Sequence, residues 1–235
     1  MKLITTESRE EFDSVAASIV NQKVSEKPNL ALTLPTGSTP RGLYEVLRRR
    51  QRDGNFSLER ASVFMLDEYV DLPSYPVGSF AEFLFQHLGE VIFNGRTSFS
   101  PIKPGRDPRG YDAAIDLVGG LDLAVIGVGR NGHVGFNEPG DDPNARTHIV
   151  TLLDDTLEAN FGGVGVDERP TRAVTIGMAD LRSARSILML VDGEQKHDVA
   201  GLLAAGIVDP HVPATHLLEH DDLTIVMSGE LLRGR

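Results

Sequence analysis

Five short stretches of this chain are apolar almost from end to end: Leu30–Leu34, Ala61–Leu66, Leu121–Ile126, Ile187–Val191 and Leu223–Met227. They do not alternate apolar with polar residues, as a half-solvated strand would. Strands of this kind are buried on both faces, which points to a parallel sheet covered by helices on each side. Helical periodicities fill the intervals. Phe12, Val15, Ala16, Ile19 and Val20 repeat at helical spacing, and Ser8 and Glu11 just before them have the spacing of a capping box. Leu43, Val46 and Leu47 form the inward face of a helix running to about Arg50, with Thr39 and Pro40 as its N-cap and first residue. Phe80, Phe83, Leu84, His87 and Leu88 repeat the pattern, and Tyr111–Val118 and Glu194–Ala205 also read as helical. Thr97–Ser100, Thr147–Leu153 and Ala173–Ile176 are further short strands. Asp71–Gly78 and Pro101–Arg109 are loops, the first punctuated by prolines and a glycine. No repeat, low-complexity run or linker interrupts the series. The expected fold is α/β: a single domain over residues 1–235, Rossmann-like and doubly wound, with a mostly parallel sheet and helices on both faces.

The net charge of −11 argues against nucleic acid or an anionic membrane as partner. The 235 residues contain no cysteine, so disulfides, thiolate nucleophiles and cysteine metal sites are excluded. MKLITTESREEF has no signal-like apolar core, and no run of 18 apolar residues occurs. The expectation is a soluble cytoplasmic protein; self-association into a homo-oligomer stays open.

Open parallel sheets bind ligands beyond the carboxyl ends of their strands. Four such ends carry polar residues: Thr36-Gly37-Ser38-Thr39, Asp67-Glu68, Asn131 through Glu138, and Gly193 to Lys196. The loop at Gly37-Ser38-Thr39 lies between a strand and a helix, where N–H groups and hydroxyls suit a phosphate or simply cap a turn. Gly127-Val128-Gly129-Arg130-Asn131-Gly132 matches G-x-G-x-x-G, but His-Val-Gly-Phe-Asn-Glu-Pro-Gly follows it, and that is a poor helix start. A dinucleotide site needs the helix, so the match speaks against a nicotinamide cofactor rather than for one. His133 and Glu138 suit a base and its orienting carboxylate, or a structural histidine in a polar loop. Asp67 ends an apolar strand, where desolvation raises a carboxyl's proton affinity. Lys196 stands beside the other strand ends, placed to meet a phosphate. The remaining histidines are scattered, and His216 and His220 lack an H-E-x-x-H context, so no metal site is expected.

LPTGSTPRGLY (34–44), FMLDEYVDLP (64–73) and GVGRNGHVGFNEPG (127–140), supported by ARTHIVTL (145–152) and VDGEQK (191–196), make the chain resemble the glucosamine-6-phosphate deaminase/isomerase family. The similarity runs in order along nearly the whole chain. The related 6-phosphogluconolactonases share the fold and the G-x-G-x-x-G-H loop but do not typically continue as Phe136-Asn137-Glu138-Pro139. The resemblance implies that glucosamine 6-phosphate and water give fructose 6-phosphate and ammonia, without cofactor. It implies that His133, oriented by Glu138, opens the sugar ring, that Asp67 moves the C2 proton to C1, and that Asn131 belongs to the same catalytic group. Thr36, Gly37, Ser38, Thr39 and Lys196 would hold the phosphate, and the backbone of Gly127 and Gly129 would approach the sugar closely.

Two departures stand out. Asn131 occupies a position where some members carry Asp, and Asn accepts a hydrogen bond but offers an imidazolium no charge. A family arginine that clamps the phosphate normally follows the segment matching Glu158-Ala159-Asn160, whereas this chain reads Phe161-Gly162-Gly163, a glycine-rich segment suited to a lid. Arg172 and Arg41 are the candidate substitutes. The alternatives to the deaminase are a sugar-phosphate lactonase, a deaminase/isomerase for another amino-sugar phosphate, and a non-catalytic sugar-phosphate-binding regulator.

Overall fold

All five apolar stretches become neighbouring strands of one sheet. The structure is a computed structural model that describes residues 1–73, 77–103, 105–163 and 165–233. Its main sheet holds β1 (Lys2–Thr6), β2 (Ala31–Leu34), β3 (Ser62–Met65), β5 (Ser98–Ser100), β6 (Leu123–Gly127), β9 (Ser186–Val191) and β10 (Leu223–Ser228). The order is β1-β10-β9-β6-β2-β3-β5, and every pairing is parallel. The strand sequence reverses direction around β6, with β9 on one side and β2 on the other. Such a switch point opens a crevice at the strands' carboxyl ends.

Period-2 alternation divides these strands between two cores. Leu32, Leu34, Val63, Met65, Val125, Leu188 and Leu190 meet the buried faces of α1 (Arg9–Glu26), α2 (Arg41–Arg52) and α3 (Phe80–Leu88). Phe64, Ala124, Ile126, Ile187, Met189 and Val191 meet α4 (Pro108–Leu117), α6 (Met178–Arg182) and α7 (His197–Ala205) on the other side. Truncating any of the large aliphatic residues here to Ala would cost about 2–5 kcal/mol.

A second sheet, outside the expected series, consists of β4 (Asp67–Tyr69), β8 (Arg172–Thr175) and β7 (His148–Thr151), paired antiparallel in that order. The apolar run Ala61–Leu66 thus ends at a change of sheet: β3 stays in the main sheet and Asp67 opens a strand of the small one. β7 and β8 are antiparallel, not members of the parallel series. Tyr69 of β4 and Ala173 of β8 pack with Leu72, Phe136 and Leu152 in a third small core.

Four further local differences stand out. β1 precedes the first helix at the sheet's edge; mostly solvated, it carries little hydrophobic signal and is held by backbone pairing to β10. Ser8 accepts from the N–H of Glu11 at 3.2 Å, as expected, but the Glu11 carboxylate accepts from Glu7 rather than from Ser8. The helix after the 36–39 loop starts at Arg41, with Pro40 in the cap position and no side-chain cap; Thr39 is engaged elsewhere. An unexpected helix, α5 (Asp154–Phe161), follows β7. Within the expected loops 71–78 and 101–109, residues 74–76 and 104 lie outside the described residues, as does residue 164 of the glycine-rich segment.

Candidate active site

The loops after β2, β6 and β9, together with the start of β4, enclose a cleft of about 710 Å³. Thr36, Gly37, Ser38, Thr39, Asp67, Gly127, Gly129, Asn131, His133 and Lys196 all line it. Glu138 does not; it sits behind the imidazole, 8% accessible.

The 36–39 loop passes from the buried end of β2 into α2, and Gly37 takes a positive φ of 87° there. No side chain caps α2: the Arg41 N–H meets the Ser38 carbonyl at 3.4 Å, and the N–H groups of Gly42 and Leu43 are the donors that this helix start leaves uncapped. Lys196 is almost fully buried and donates to the Thr39 hydroxyl at 3.1 Å. Burial lowers its ammonium to about 8; Asp192 partly opposes this and Arg9 adds to it.

The loop after β6 is fastened from several directions. Phe136 stacks on Phe80 and meets Tyr69, and its N–H donates to the Thr175 hydroxyl at 3.1 Å. Asn137 is buried and donates to the carbonyls of Val134 and Ile176. Each side chain of the Phe136-Asn137-Glu138 triplet therefore faces a different partner, which accounts for the specificity of the motif. Gly129 has its own reason: a Cβ there would lie 2.2 Å from the His133 ring. A Cβ at Gly127 would meet nothing within 4 Å, and the backbones of both glycines border the cleft.

The hydrogen bonds around His133 determine its tautomer. A carboxylate only accepts, so the Asn131 amide nitrogen must face Glu138, which it meets at 2.8 Å. The amide oxygen then faces His133 Nδ1 at 2.7 Å, and that nitrogen must carry the proton. Nε2 is left with the free lone pair. Glu138 Oε1 lies 3.5 Å from Nδ1, close enough to support an imidazolium. The orientation expected of Glu138 is thus delivered chiefly through Asn131. Thr156 of α5, a lining residue, donates to Glu138 Oε1 at 3.0 Å. Burial would raise the Glu138 carboxyl, but the contacts with His133, Asn131 and Thr156 outweigh it and hold the group below its ordinary range.

Asp67 is the opposite case. Burial, reinforced by the neighbouring Glu68 carboxylate, holds it well above the ordinary range. Its Oδ1 is buried without a hydrogen-bond partner among the described residues. Gly135, at φ 59°, lies over this group; a Cβ there would fall 2.6 Å from Thr175 Oγ1 and 3.4 Å from Asp67 Oδ2. Glu68 itself is fully buried and accepts from the N–H groups of Tyr69, Phe80 and Ala81, tying β4 to the start of α3. Of the two neighbours in the Asp67-Glu68 pair, only Asp67 reaches the cleft.

Neither candidate replacement arginine lines the cleft. Arg41 lies over the Phe83 ring, and Arg172 meets Asp71. Arg130 is the arginine that does line it. Sequence reasoning passed over Arg130, Thr156 and Gln195; Arg130 falls inside the glycine motif and Gln195 inside the Gly193–Lys196 strand end, but nothing local marks Thr156. Among the described residues no cluster of three or more His, Asp or Glu is arranged to hold a metal ion, and no helix is long and apolar enough to cross a membrane.

An uncapped helix start and a buried lysine thus border the same cleft as an imidazole and a carboxyl of raised proton affinity. A profile of the family described as glucosamine-6-phosphate isomerases/6-phosphogluconolactonase matches residues 6–226. The chain belongs to that family. It is 36% identical over 237 residues to the glucosamine-6-phosphate deaminase of Clostridium beijerinckii, covering 98% of each chain. It is 34% identical over 240 residues to glucosamine-6-phosphate deaminase 1 of Bacillus subtilis, again covering 98% of each. Among solved structures, a monomeric glucosamine-6-phosphate deaminase superposes with a TM-score of 0.91 at 32% identity, covering all of both chains. The 6-phosphogluconolactonase of Trypanosoma brucei, at 16% identity and TM-score 0.77 over 98% of this chain and 97% of that one, shares the fold.

Proposed function

We propose that the chain is a glucosamine-6-phosphate deaminase that works by ring opening followed by enolisation. The observation that carries this reading is the pairing, in one cleft, of a buried unpartnered carboxyl (Asp67) with an imidazole whose Nε2 lone pair is free (His133). The full-length likeness to deaminases supports it.

In this mechanism the 36–39 loop, the start of α2 and Lys196 hold the phosphate. His133 Nε2 carries the proton between the C1 hydroxyl and the ring oxygen; the imidazolium formed on the way is stabilised by Glu138 at 3.5 Å from Nδ1. Asp67, as carboxylate, then takes the C2 proton and returns it at C1. A carboxyl of high proton affinity suits the abstraction, since it is a stronger base than an ordinary aspartate, and the same group, exchanging with solvent while it holds the proton, then protonates the adjacent carbon. Water adds to the C2 imine, and ammonia leaves. A binding-only protein has no use for such a proton shuttle. The reading carries with it a cytoplasmic enzyme of N-acetylglucosamine catabolism.

The test is incubation with glucosamine 6-phosphate while ammonia and fructose 6-phosphate are followed. Equimolar formation of both is expected. No turnover, with hydrolysis of 6-phosphogluconolactone instead, would replace this reading by the lactonase.

A further inference from the structure

Behind the phosphate wall lies a charge network for which the proposed chemistry has no role. Arg9, at the first turn of α1, sends its guanidinium to three separate segments. Nη2 donates to the Thr39 carbonyl at 2.5 Å, Nε to Asp13 at 3.0 Å, and Nη1 to Asp192, the residue that follows β9. Asp192 lies one turn before Lys196, and Lys196 donates to the hydroxyl of the same Thr39. Thr39 is therefore gripped twice, at its carbonyl by the arginine and at its hydroxyl by the lysine. The packing leaves no slack: a Cβ on Gly42, the second residue of α2, would fall 1.8 Å from the Asp13 carboxylate. Arg9 and Asp192 do not line the cleft, so neither is placed to touch a sugar phosphate.

We propose that Arg9 is a positioning residue of the anion wall: it fastens the 36–39 loop to the end of β9, and with Asp192 it forms an opposed pair of fixed charges acting on the Lys196 ammonium. The proposal rests on reading this wall as the phosphate site. Lys196 shares its cleft with Asp67, Arg130 and His133, and α2 carries Arg41 and Glu45. The turn itself carries Glu194, α7 carries His197 and Asp198, and the C-terminal turn carries Glu230; of these only His197 is even half-buried. Burial lowers the lysine to about 8, with Asp192 pulling it up and Arg9 pushing it further down. A phosphate monoester loses its second proton at about pH 6, so between neutral and alkaline pH the lysine is the partner whose charge changes. Burial sets most of the pH at which the wall stops attracting the ligand, and Arg9 and Asp192 adjust it in opposite directions.

The experiment reads Lys196 directly, through the 13Cε shift of 13C-lysine-labelled protein, with the signal assigned by its loss in Lys196→Arg. Titration of the ligand-free protein is expected to give a midpoint near 8. Arg9→Met removes a positive neighbour and frees Asp192, so the midpoint should rise by about 1 pH unit; Asp192→Asn should lower it by about as much. Arg9→Lys keeps the charge and loses the fork, so the midpoint should stay near the parent's while affinity for inorganic phosphate falls about 10-fold. A midpoint unmoved, or moved the same way, in Arg9→Met and Asp192→Asn overturns the charge pairing. Unchanged phosphate affinity in Arg9→Lys overturns the clamp. Should Arg9→Met not fold, Asp192→Asn and Arg9→Lys decide each half alone. Because the titration needs no ligand, it stands apart from the function: failure of the parent to bind inorganic phosphate or glucosamine 6-phosphate counts against the phosphate reading, whatever Lys196 does.

Discussion

Asp67 and Glu138 are two carboxyl groups of the same site, equally hidden at 6% and 8% accessible, yet their proton affinities move in opposite directions. The difference lies in their partners. Glu138 receives hydrogen bonds from Asn131 and Thr156 and faces the His133 ring, all of which favour the ionised form. Asp67 has an unpartnered oxygen and a second carboxylate for a neighbour. Burial alone does not decide the role of an acid in a cleft; the donors supplied to it do. One group is kept as a permanent anion beside an imidazole, the other as a reservoir for a proton in transit. That division of labour recurs where two carboxyls share one site.

The largest expected effect comes from removing the reservoir. Asp67→Asn should lower kcat by about 10³-fold or more, near the upper range for loss of a general base, with KM within about threefold of the parent. A kcat within tenfold would remove Asp67 from the proton-transfer role. Next, Glu138→Gln keeps an acceptor for Asn131 but takes the charge from behind His133, and kcat should fall about 10²-fold. Equal losses in the two variants would mean that the two carboxyls are not doing different work. Thr156→Val is subtler: it removes one of the donors that hold Glu138 down, and kcat/KM should fall about 3- to 10-fold, in line with one hydrogen bond to a charged group. The acid limb of kcat/KM should move up in that variant, whereas simple loss of packing would leave it in place.

The smallest effect concerns stability, and its sign follows from linkage. Asp67 keeps its proton in the folded state to a higher pH than its unfolded value of 3.8. Above 3.8 the unfolded chain binds fewer protons than the native one, so this group's contribution falls as pH rises through the native value. Asp67→Asn cannot ionise and escapes that loss. Its melting temperature should exceed the parent's at neutral pH, with the gap closing on acidification below about pH 4. A gap that persists in acid would trace the gain to packing instead.

The comparison also separates what a sequence reader can see from what folding must supply. The strands of the main sheet were legible because burial on both faces demands unbroken apolar runs such as Ile187–Val191. β1 and β4 were not, since an exposed edge and a three-residue strand carrying two acids owe their form to backbone pairing with β10 and β8. Helix α5 was equally hidden: its polar sequence is steadied by Thr156 on Glu138 and by Phe161 against Tyr69. In the cleft and just behind it, Asp67, Asn131, His133 and Glu138 could be picked out because they follow apolar strands within short motifs. Which nitrogen of His133 is free could not, because it depends on the direction of one amide. Arg9, Asp192 and Thr156 escaped for a plainer reason. Arg9 meets Thr39 across 30 residues and Asp192 across 183, and Thr156 meets Glu138 across 18. No local pattern announces such encounters.

The claim that Asp67 is the proton reservoir is tested most directly by exchange rather than by turnover. Glucosamine 6-phosphate is incubated in D2O with the parent and with Asp67→Asn, and deuterium is followed by NMR at C2 of the recovered substrate and at C1 of any product. The account predicts deuterium entering through the parent and none above background through the variant, although the variant still binds the sugar phosphate. Exchange at the parent's rate in Asp67→Asn would contradict it and assign the C2 proton to another group.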